Sequence, residues 1–175
     1  NFWQSGRLAI RVSWWNTVLL EFVIHSLKLG GGEIAITPIP GRTRHYYADW
    51  LRLMEWRPDL VLSMTSQVEL DRKGAGTLGT DLANEGIGWL HLPVPDCGVP
   101  DNLDWPIVRD QALEVLGQGG RVLVHCFGGC GRSGMMVLRL MIATGETHDL
   151  ALARLRAVRP CAVETDAQMR WACAG

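Results

Sequence analysis

The sequence of 175 residues predicts an α/β fold with a central, mostly parallel sheet flanked by helices. Short apolar segments of strand length alternate with segments whose apolar residues recur every three or four positions. Glycine or proline separates most of these segments, as is typical of connecting loops. With 47% hydrophobic residues, a chain of this length is expected to form one domain around a buried core.

The first predicted elements follow the break at Gly30–Gly31–Gly32. Residues 33–39 alternate like a strand that stops at the prolines 38 and 40, residues 44–56 have helical spacing before Pro58, and residues 59–65 are typical of a buried strand. Residues 77–84 then form a predicted short helix ending near Gly86, and residues 87–94 a further strand.

The second half continues the alternation. A helix is predicted over residues 105–116, stopped by Gly117, and a strand over residues 121–125. Three more helices are predicted over residues 133–143, 148–158 and 164–172, with Thr147 as N-cap of the second. This order divides the chain into an N-terminal extension, residues 1–25, and a domain, residues 26–175. Trp3, Trp14 and Trp15 lie in the extension, which we interpret as an amphipathic segment or non-native leader lying on the domain. A membrane-surface or partner helix is the alternative, although the basic face is thin.

Composition limits the function. The net charge of -1 argues against a protein that coats nucleic acid or an anionic membrane. Five cysteines cannot all pair within the chain, and their spacing with histidine matches no zinc site. We therefore expect reduced thiols, a cytoplasmic protein and no metal.

The loop after the strand 121–125 carries the chemistry. It reads Cys126-Phe127-Gly128-Gly129-Cys130-Gly131-Arg132-Ser133-Gly134, and a helix follows. Its glycines are expected to let backbone N–H groups converge on an anion at the helix N-terminus, where a Cβ would crowd the ligand. The same environment favours the thiolate form of Cys126.

These residue types predict phosphoryl transfer through cysteine without a metal. Cys126 is the expected nucleophile, and the planar fork of Arg132 is expected to bind two phosphate oxygens. The hydroxyl of Ser133 is placed to donate to the Cys126 sulfur, which would make that sulfur a better leaving group.

The run His125-Cys126, five residues, Arg132-Ser133 resembles the signature of cysteine-dependent protein tyrosine and dual-specificity phosphatases. Residues 30–172 resemble most the cyclin-dependent-kinase-associated phosphatase-like subfamily. The resemblance implies a dual-specificity-phosphatase-like fold, no cofactor, a phosphoprotein or phosphopeptide substrate, and a loop over residues 127–132 that would also hold phosphate, vanadate or sulfate. It implies hydrolysis of phosphotyrosine through a phosphocysteine, and leaves phosphoserine and phosphothreonine open as further substrates.

Such phosphatases carry a general acid on a loop about thirty residues before the nucleophile. Residues 93–101 resemble the corresponding Pro-x-x-Asp-x-Gly-x-Pro-Asp stretch of that subfamily, and Asp96 takes the acid role in the match. Asp101 fits better as a turn or cap residue, and Asp104 is the expected N-cap of the next helix.

Two further residues have supporting roles in this interpretation. Gln168 matches a family Gln near the last helix and is expected either to position the hydrolytic water or to lie in solvent. His125 is expected to bond backbone around the loop and keep Cys126 oriented.

The loop also bears on substrate and regulation. None of residues 127–131 is basic, whereas phosphoinositide phosphatases of this superfamily carry lysine there, and no insertion walls a deep cleft. We therefore expect a shallow site with dual specificity. Cys97 or Cys130 could trap an oxidised Cys126 as a disulfide, or both could simply fill space, and Cys161 and Cys173 are interpreted as structural.

Two alternatives remain open. A rhodanese-like sulfurtransferase also holds a cysteine in an anion-binding loop, but Asp96 and the Arg132-Ser133 ending argue against it. A non-catalytic phosphoprotein-binding module would usually lack one of Cys126, Arg132 and Asp96, which are all present here.

Overall fold

The computed structural model describes residues 22–43 and 45–174. Most of the predicted N-terminal extension, including its three tryptophans, lies outside the described residues. Its last part belongs to the fold, because Phe22 is buried and the first strand begins at His25. None of the helices in the described ranges has the length and apolar character that a bilayer-spanning segment requires.

A five-stranded sheet crosses the described part of the chain in the order β1-β2-β5-β3-β4. Its strands are β1 (His25–Leu29), β2 (Gly32–Pro38), β3 (Leu60–Ser63), β4 (Gly88–His91) and β5 (Arg121–Cys126). The edge strand β1 pairs antiparallel with β2, whereas every other pairing is parallel. The predicted mostly parallel sheet is therefore confirmed.

Helices connect the parallel strands. In the described ranges they are α1 (Tyr46–Trp56), α2 (Gln67–Arg72), α3 (Leu78–Asn84), α4 (Trp105–Gly117), α5 (Gly131–Ala143), α6 (His148–Val158) and α7 (Asp166–Cys173). The prediction for α6 matches both ends of the helix, while the other predicted elements differ by a few residues at one or both ends. Asp104 caps α4 as predicted, since its side chain accepts from the N–H of Ile107.

Two elements were absent from the prediction. The strand β1 forms a hairpin with β2 across Gly30 and Gly31, whose φ angles of 58° and 96° suit glycine. The short helix α2 begins at a capping box, in which Ser66 and Glu69 each bond the other's backbone N–H. That Ser-x-x-Glu pattern was visible in the sequence and could have revealed α2.

The core lies on both faces of the sheet. One apolar cluster packs β2, β3 and β5 against α4 to α7, and a second packs the other face against α1 to α3. Because β2 to β5 are parallel, their carboxyl ends meet at one edge of the sheet. The loops that follow Pro38, Ser63, His91 and Cys126 converge there.

Candidate active site

The loop after β5 is held by its neighbours in a tight turn. Gly129 has a φ of 66°, and a Cβ there would lie 2.6 Å from the carbonyl carbon of Thr37 on β2. A Cβ at Gly134 would lie 2.6 Å from the backbone nitrogen of Val163, and one at Gly131 would lie 2.8 Å from the amide oxygen of Gln168. At these three positions glycine is required by close packing of neighbouring protein, and room for a ligand at the loop stays a prediction.

Cys126 ends β5 with its side chain at the head of α5. The residue is 3% exposed, and its Sγ lies 3.2 Å from the hydroxyl oxygen of Ser133. A serine hydroxyl at this distance can donate to a thiolate. The structure therefore brings together the predicted nucleophile and the predicted donor.

Arg132 is buried, and its guanidinium is held by the carboxylate of Glu69 and the backbone oxygen of Val94. Its Nη1 donates to Glu69 Oε2 and to the backbone oxygen of Val94, and its Nη2 donates to Glu69 Oε1. A guanidinium carries five N–H donors, so the Nε–H and the second Nη2–H make no hydrogen bond to the described protein, although Asp96 Oδ1 lies 3.4 Å from Nη2. These two lie along one edge of the guanidinium and have the parallel geometry that suits two phosphate oxygens.

Glu69, which the sequence analysis did not single out, orients this arginine. It belongs to α2 and lies 2.9 Å from Arg132 Nη2. Burial raises the pKa of Glu69, but hydrogen bonds from Arg132 and from the Ser66 N–H outweigh it, so the pKa lies below its ordinary value. Glu69 is therefore an ionised carboxylate at neutral pH, where it pairs with the charged guanidinium of Arg132.

Asp96 lies opposite the loop on the segment after β4. Its Oδ1 is 3.4 Å from Arg132 Nη2, while its side chain is 80% exposed. The neighbouring Cys97 is an exposed free thiol with a φ of 58°, and its backbone oxygen accepts from the Thr165 hydroxyl. The predicted acid therefore shares a site with Cys126 and Arg132, whereas Asp101 lies exposed in a bend and caps no helix.

His125 is buried behind the loop and bonds a side chain of the adjacent strand. Its Nε2 lies 2.6 Å from Ser63 Oγ, which also accepts a hydrogen bond from Trp89 Nε1 at 2.8 Å. Burial lowers the pKa of His125 to about 3, so the ring is neutral at ordinary pH. The sequence analysis did not identify Ser63 or Trp89 as partners, because the sheet order that joins β3 to β5 is not visible in the sequence.

Gln168 lies buried at the start of α7, against Gly131. Its Oε1 accepts from the N–H groups of Glu164 and Thr165, and its Nε2 donates to the backbone oxygen of Gly98. One N–H of the amide remains free. The expectation that this residue lies in solvent is wrong, and a role in positioning water stays a prediction.

The cysteines depart from the expectation of reduced thiols. Cys130, inside the loop, forms a disulfide with Cys161, which precedes α7. Cys130 is therefore not free to trap Cys126, and Cys161 has a structural role as the partner of Cys130. Since disulfides persist mainly in oxidising compartments, this bond also removes the argument from thiols for a cytoplasmic location.

A cavity of about 310 Å³ opens over the loop. Its wall includes the nucleophile, the proposed acid and three arginines, at positions 42, 132 and 159. Arg159 bonds the loop itself, because its guanidinium donates to the backbone oxygens of Gly128 and Gly129. The site thus holds a thiol, a carboxylic acid and an arginine with two free donors in one solvent-open cavity.

The fold and this site together define the class of cysteine-dependent tyrosine and dual-specificity phosphatases. Residues 40–146, more than half of the chain, match the family described as Tc-R-P, a polymorphic toxin system DSP-PTPase phosphatase. The chain belongs to this family.

Curated relatives include tyrosine phosphatases: a putative tyrosine phosphatase of Invertebrate iridescent virus 3 is 30% identical over 91 residues, which cover 47% of this chain and 38% of the relative. Cyclin-dependent kinase inhibitor 3 of Rattus norvegicus is 36% identical over 77 residues, which cover 42% of this chain and 36% of the relative. The matched segments span only 20–38% of the length of the curated relatives.

Solved structures share the fold. Kinase-associated phosphatase, with its catalytic cysteine replaced by serine, superposes with a TM-score of 0.77 at 21% identity, covering 87% of this chain and 92% of that one. The active form of Tk-PTP gives a TM-score of 0.63 at 28% identity, covering 84% and 92%. The resemblance to the kinase-associated phosphatase is therefore confirmed at the level of the fold.

Proposed function

We propose that this chain hydrolyses phosphate monoesters on proteins, phosphotyrosine first and phosphoserine or phosphothreonine as well. The observation that carries the proposal is the pairing of Cys126 Sγ with the free edge of Arg132 in one open cavity. The backbone N–H groups of the loop and the N-terminus of α5 add positive potential for the phosphate. The same features would bind phosphate, vanadate or sulfate.

The first step forms a sulfur–phosphorus bond. The Cys126 thiolate attacks phosphorus, the bond from phosphorus to the ester oxygen breaks, and Asp96 gives its proton to the leaving oxygen. The two free N–H donors of Arg132 stabilise the charge that develops on the transferred group.

The second step breaks that bond. Water attacks phosphorus and loses a proton to Asp96, now a carboxylate, while the electron pair of the sulfur–phosphorus bond returns to Cys126. Ser133, 3.2 Å from this sulfur, donates a hydrogen bond to the departing thiolate. The free N–H of Gln168 supports the predicted role of this residue in positioning the hydrolytic water. His125, buried behind the loop, is proposed to keep Cys126 oriented.

A phosphopeptide panel without added metal tests this function. The parent chain is expected to release phosphate from phosphotyrosine peptides, with vanadate as inhibitor. Cys126→Ser is expected to retain peptide binding and release no phosphate. The proposal fails if the parent chain with a reduced Cys126 releases none.

Two controls separate the alternatives. Binding of phosphopeptide by the parent chain without any hydrolysis would instead indicate a phosphoprotein-binding module. Thiosulfate sulfurtransferase activity without phosphatase activity would indicate the rhodanese-like chemistry.

A further inference from the structure

Two cationic side chains lie beside the loop on the side of Phe127. The guanidinium carbon of Arg42 is 5.4 Å from the centroid of the Phe127 ring, and the ammonium of Lys73 is 5.1 Å from it. We call Arg42 and Lys73 the rim cations. Arg42 lines the same cavity as Cys126, and Lys73 lies on the Phe127 ring next along the loop, so both charges lie beside the catalytic loop.

The turn that carries Arg42 is fixed from beneath. The N–H of Gly41 donates to Asp49 Oδ2 at 2.7 Å, the Thr43 hydroxyl donates to Asp49 Oδ1 at 3.4 Å, and the N–H of Arg42 donates to the backbone oxygen of Ile39 at 3.1 Å. A Cβ on Gly128 would lie 3.0 Å from Arg42 Nη1. The backbone that carries Arg42 is therefore fixed by hydrogen bonds, and its guanidinium lies against the loop.

The rim cations have no acidic partner in the part of the chain that the structure describes. No carboxylate there lies within 4.0 Å of either one, whereas Arg132 is paired with Glu69. Arg159 donates to two loop carbonyls, whereas Arg42 donates to one, the backbone oxygen of Phe127 at 3.5 Å, and keeps its other N–H groups. The rim cations thus leave two charges free for a ligand beside the catalytic cavity.

We infer that the rim cations form a second anion subsite, which selects phosphopeptides carrying another phosphate or a carboxylate near the phosphate to be removed. The inference rests on the proposed function. Peptide positions lie about 3.3 Å apart when extended, so the next three residues extend up to about 10 Å from the phosphorylated one and can pass over the loop that carries Phe127.

A peptide fits this site better than a polyphosphorylated ring does. The cavity wall also contains the carboxylates of Asp96 and Glu164, which would repel phosphates crowded into the cavity itself. A peptide instead places its second charge at the edge of the cavity, toward Arg42 and Lys73.

The test compares three phosphotyrosine peptides that differ at one neighbouring position: alanine, glutamate or phosphoserine. We expect the parent chain to prefer the two charged peptides in kcat/KM, and salt to weaken the preference. Arg42→Ala, Lys73→Ala and the double variant are expected to reduce the preference, by about tenfold in the double variant. Arg42→Glu is expected to reverse it.

Arg52→Ala is the matched control, because it removes an equal charge from the exposed surface of α1, away from this cavity. A preference unchanged in the double variant, or reduced equally by Arg52→Ala, contradicts the subsite. So does faster hydrolysis of a soluble inositol polyphosphate than of any peptide. Release of phosphate from the alanine peptide separates these results from a failure of the proposed function, in which no peptide is hydrolysed.

Discussion

Arg132 is useful at this site because Glu69 and Val94 occupy three of its donors and leave the other two on one edge. A buried charge that loses its partner loses both stability and orientation. Glu69→Gln keeps the shape of the side chain but removes its charge. We expect kcat/KM to fall about 10- to 100-fold, as for the loss of one hydrogen bond between charged groups.

The Kd for vanadate separates orientation from a general loss of folding. It is expected to rise in Glu69→Gln while the far-ultraviolet circular dichroism stays unchanged. Glu85→Gln, an exposed residue after α3, serves as control. Unchanged vanadate affinity in a folded Glu69→Gln protein would contradict the positioning role.

Asp96 is the only proposed catalytic group that is mostly exposed. Its removal leaves the phosphate-binding groups in place, so Asp96→Ala is expected to keep substrate binding. Turnover of a phosphotyrosine peptide, in which the tyrosine oxygen is a poor leaving group, should fall about 100- to 10,000-fold. An activated aryl phosphate, whose leaving group needs less protonation, should show a smaller fall. Equal turnover of the peptide by variant and parent would contradict the assignment of Asp96 as the general acid.

His125 gives stability a pH dependence. Its pKa is about 3 in the folded chain and about 6.5 when exposed, so the unfolded state binds more protons between these values and stability falls as pH falls. Between pH 7.5 and pH 5 this residue should cost about 2 kcal/mol of unfolding free energy. His25, whose pKa is also lowered by burial, acts in the same direction.

Urea unfolding at the two pH values measures the change, and nuclear magnetic resonance assigns it. The imidazole signals of His125 should stay constant from pH 8 to pH 5. A midpoint near pH 6.5 for this ring would show that it is not buried as a neutral group.

At the scale of elements, the loop is clamped onto the segment before α7. The disulfide between Cys130 and Cys161 closes a loop of 31 residues, and Arg159 bonds two loop carbonyls from the same segment. For a loop of this length, chain entropy gives about 3–4 kcal/mol of stabilisation. The double variant Cys130→Ala/Cys161→Ala should therefore unfold at a lower urea concentration than the parent.

Thiol titration tests the bond itself. Without reductant the denatured parent should show three thiols, from Cys97, Cys126 and Cys173, and with reductant five. Cys97→Ala is a control that removes a thiol without touching the clamp. Five thiols in the unreduced protein would contradict the clamp.

The sequence allowed prediction of those elements whose signal is local. Strand and helix periods identify most of β2 to β5 and six of the helices, and the run from His125 to Ser133 locates the loop. The partners of that loop come from distant segments. Glu69 lies in a six-residue helix too short for a periodic pattern, and Cys161 reaches Cys130 only after α5 and α6 have returned the chain. Such pairings depend on tertiary packing, which spacing alone does not specify.

At the scale of the whole molecule, the folded unit includes residue 22. Phe22 is 3% exposed and packs with Ile39, Leu53, Val61 and Leu123 on one face of the sheet. We expect a chain beginning at residue 22 to keep its kcat/KM for a phosphopeptide within about twofold of the parent. A chain beginning at residue 26 loses this anchor and about 1.5–3 kcal/mol of apolar burial.

Urea unfolding of the two truncated chains measures the difference. Equal stability of both would show that Phe22 contributes nothing to the core. Loss of activity on removal of residues 1–21 alone would instead assign that segment a part in catalysis.

The clamp has a practical consequence for anyone who isolates this enzyme. The proposed nucleophile, Cys126, would work only as a thiol, whereas Cys130, four positions along the same loop, is bonded to Cys161 as a disulfide. A strong reductant added to keep Cys126 as a thiol would also reduce the disulfide. Air oxidation, which preserves the disulfide, would oxidise Cys126. Purification therefore needs a mild reductant, at a concentration that keeps Cys126 reduced and leaves the disulfide intact. Activities measured in buffers of different reducing strength would otherwise compare protein with the loop disulfide intact and protein with it reduced.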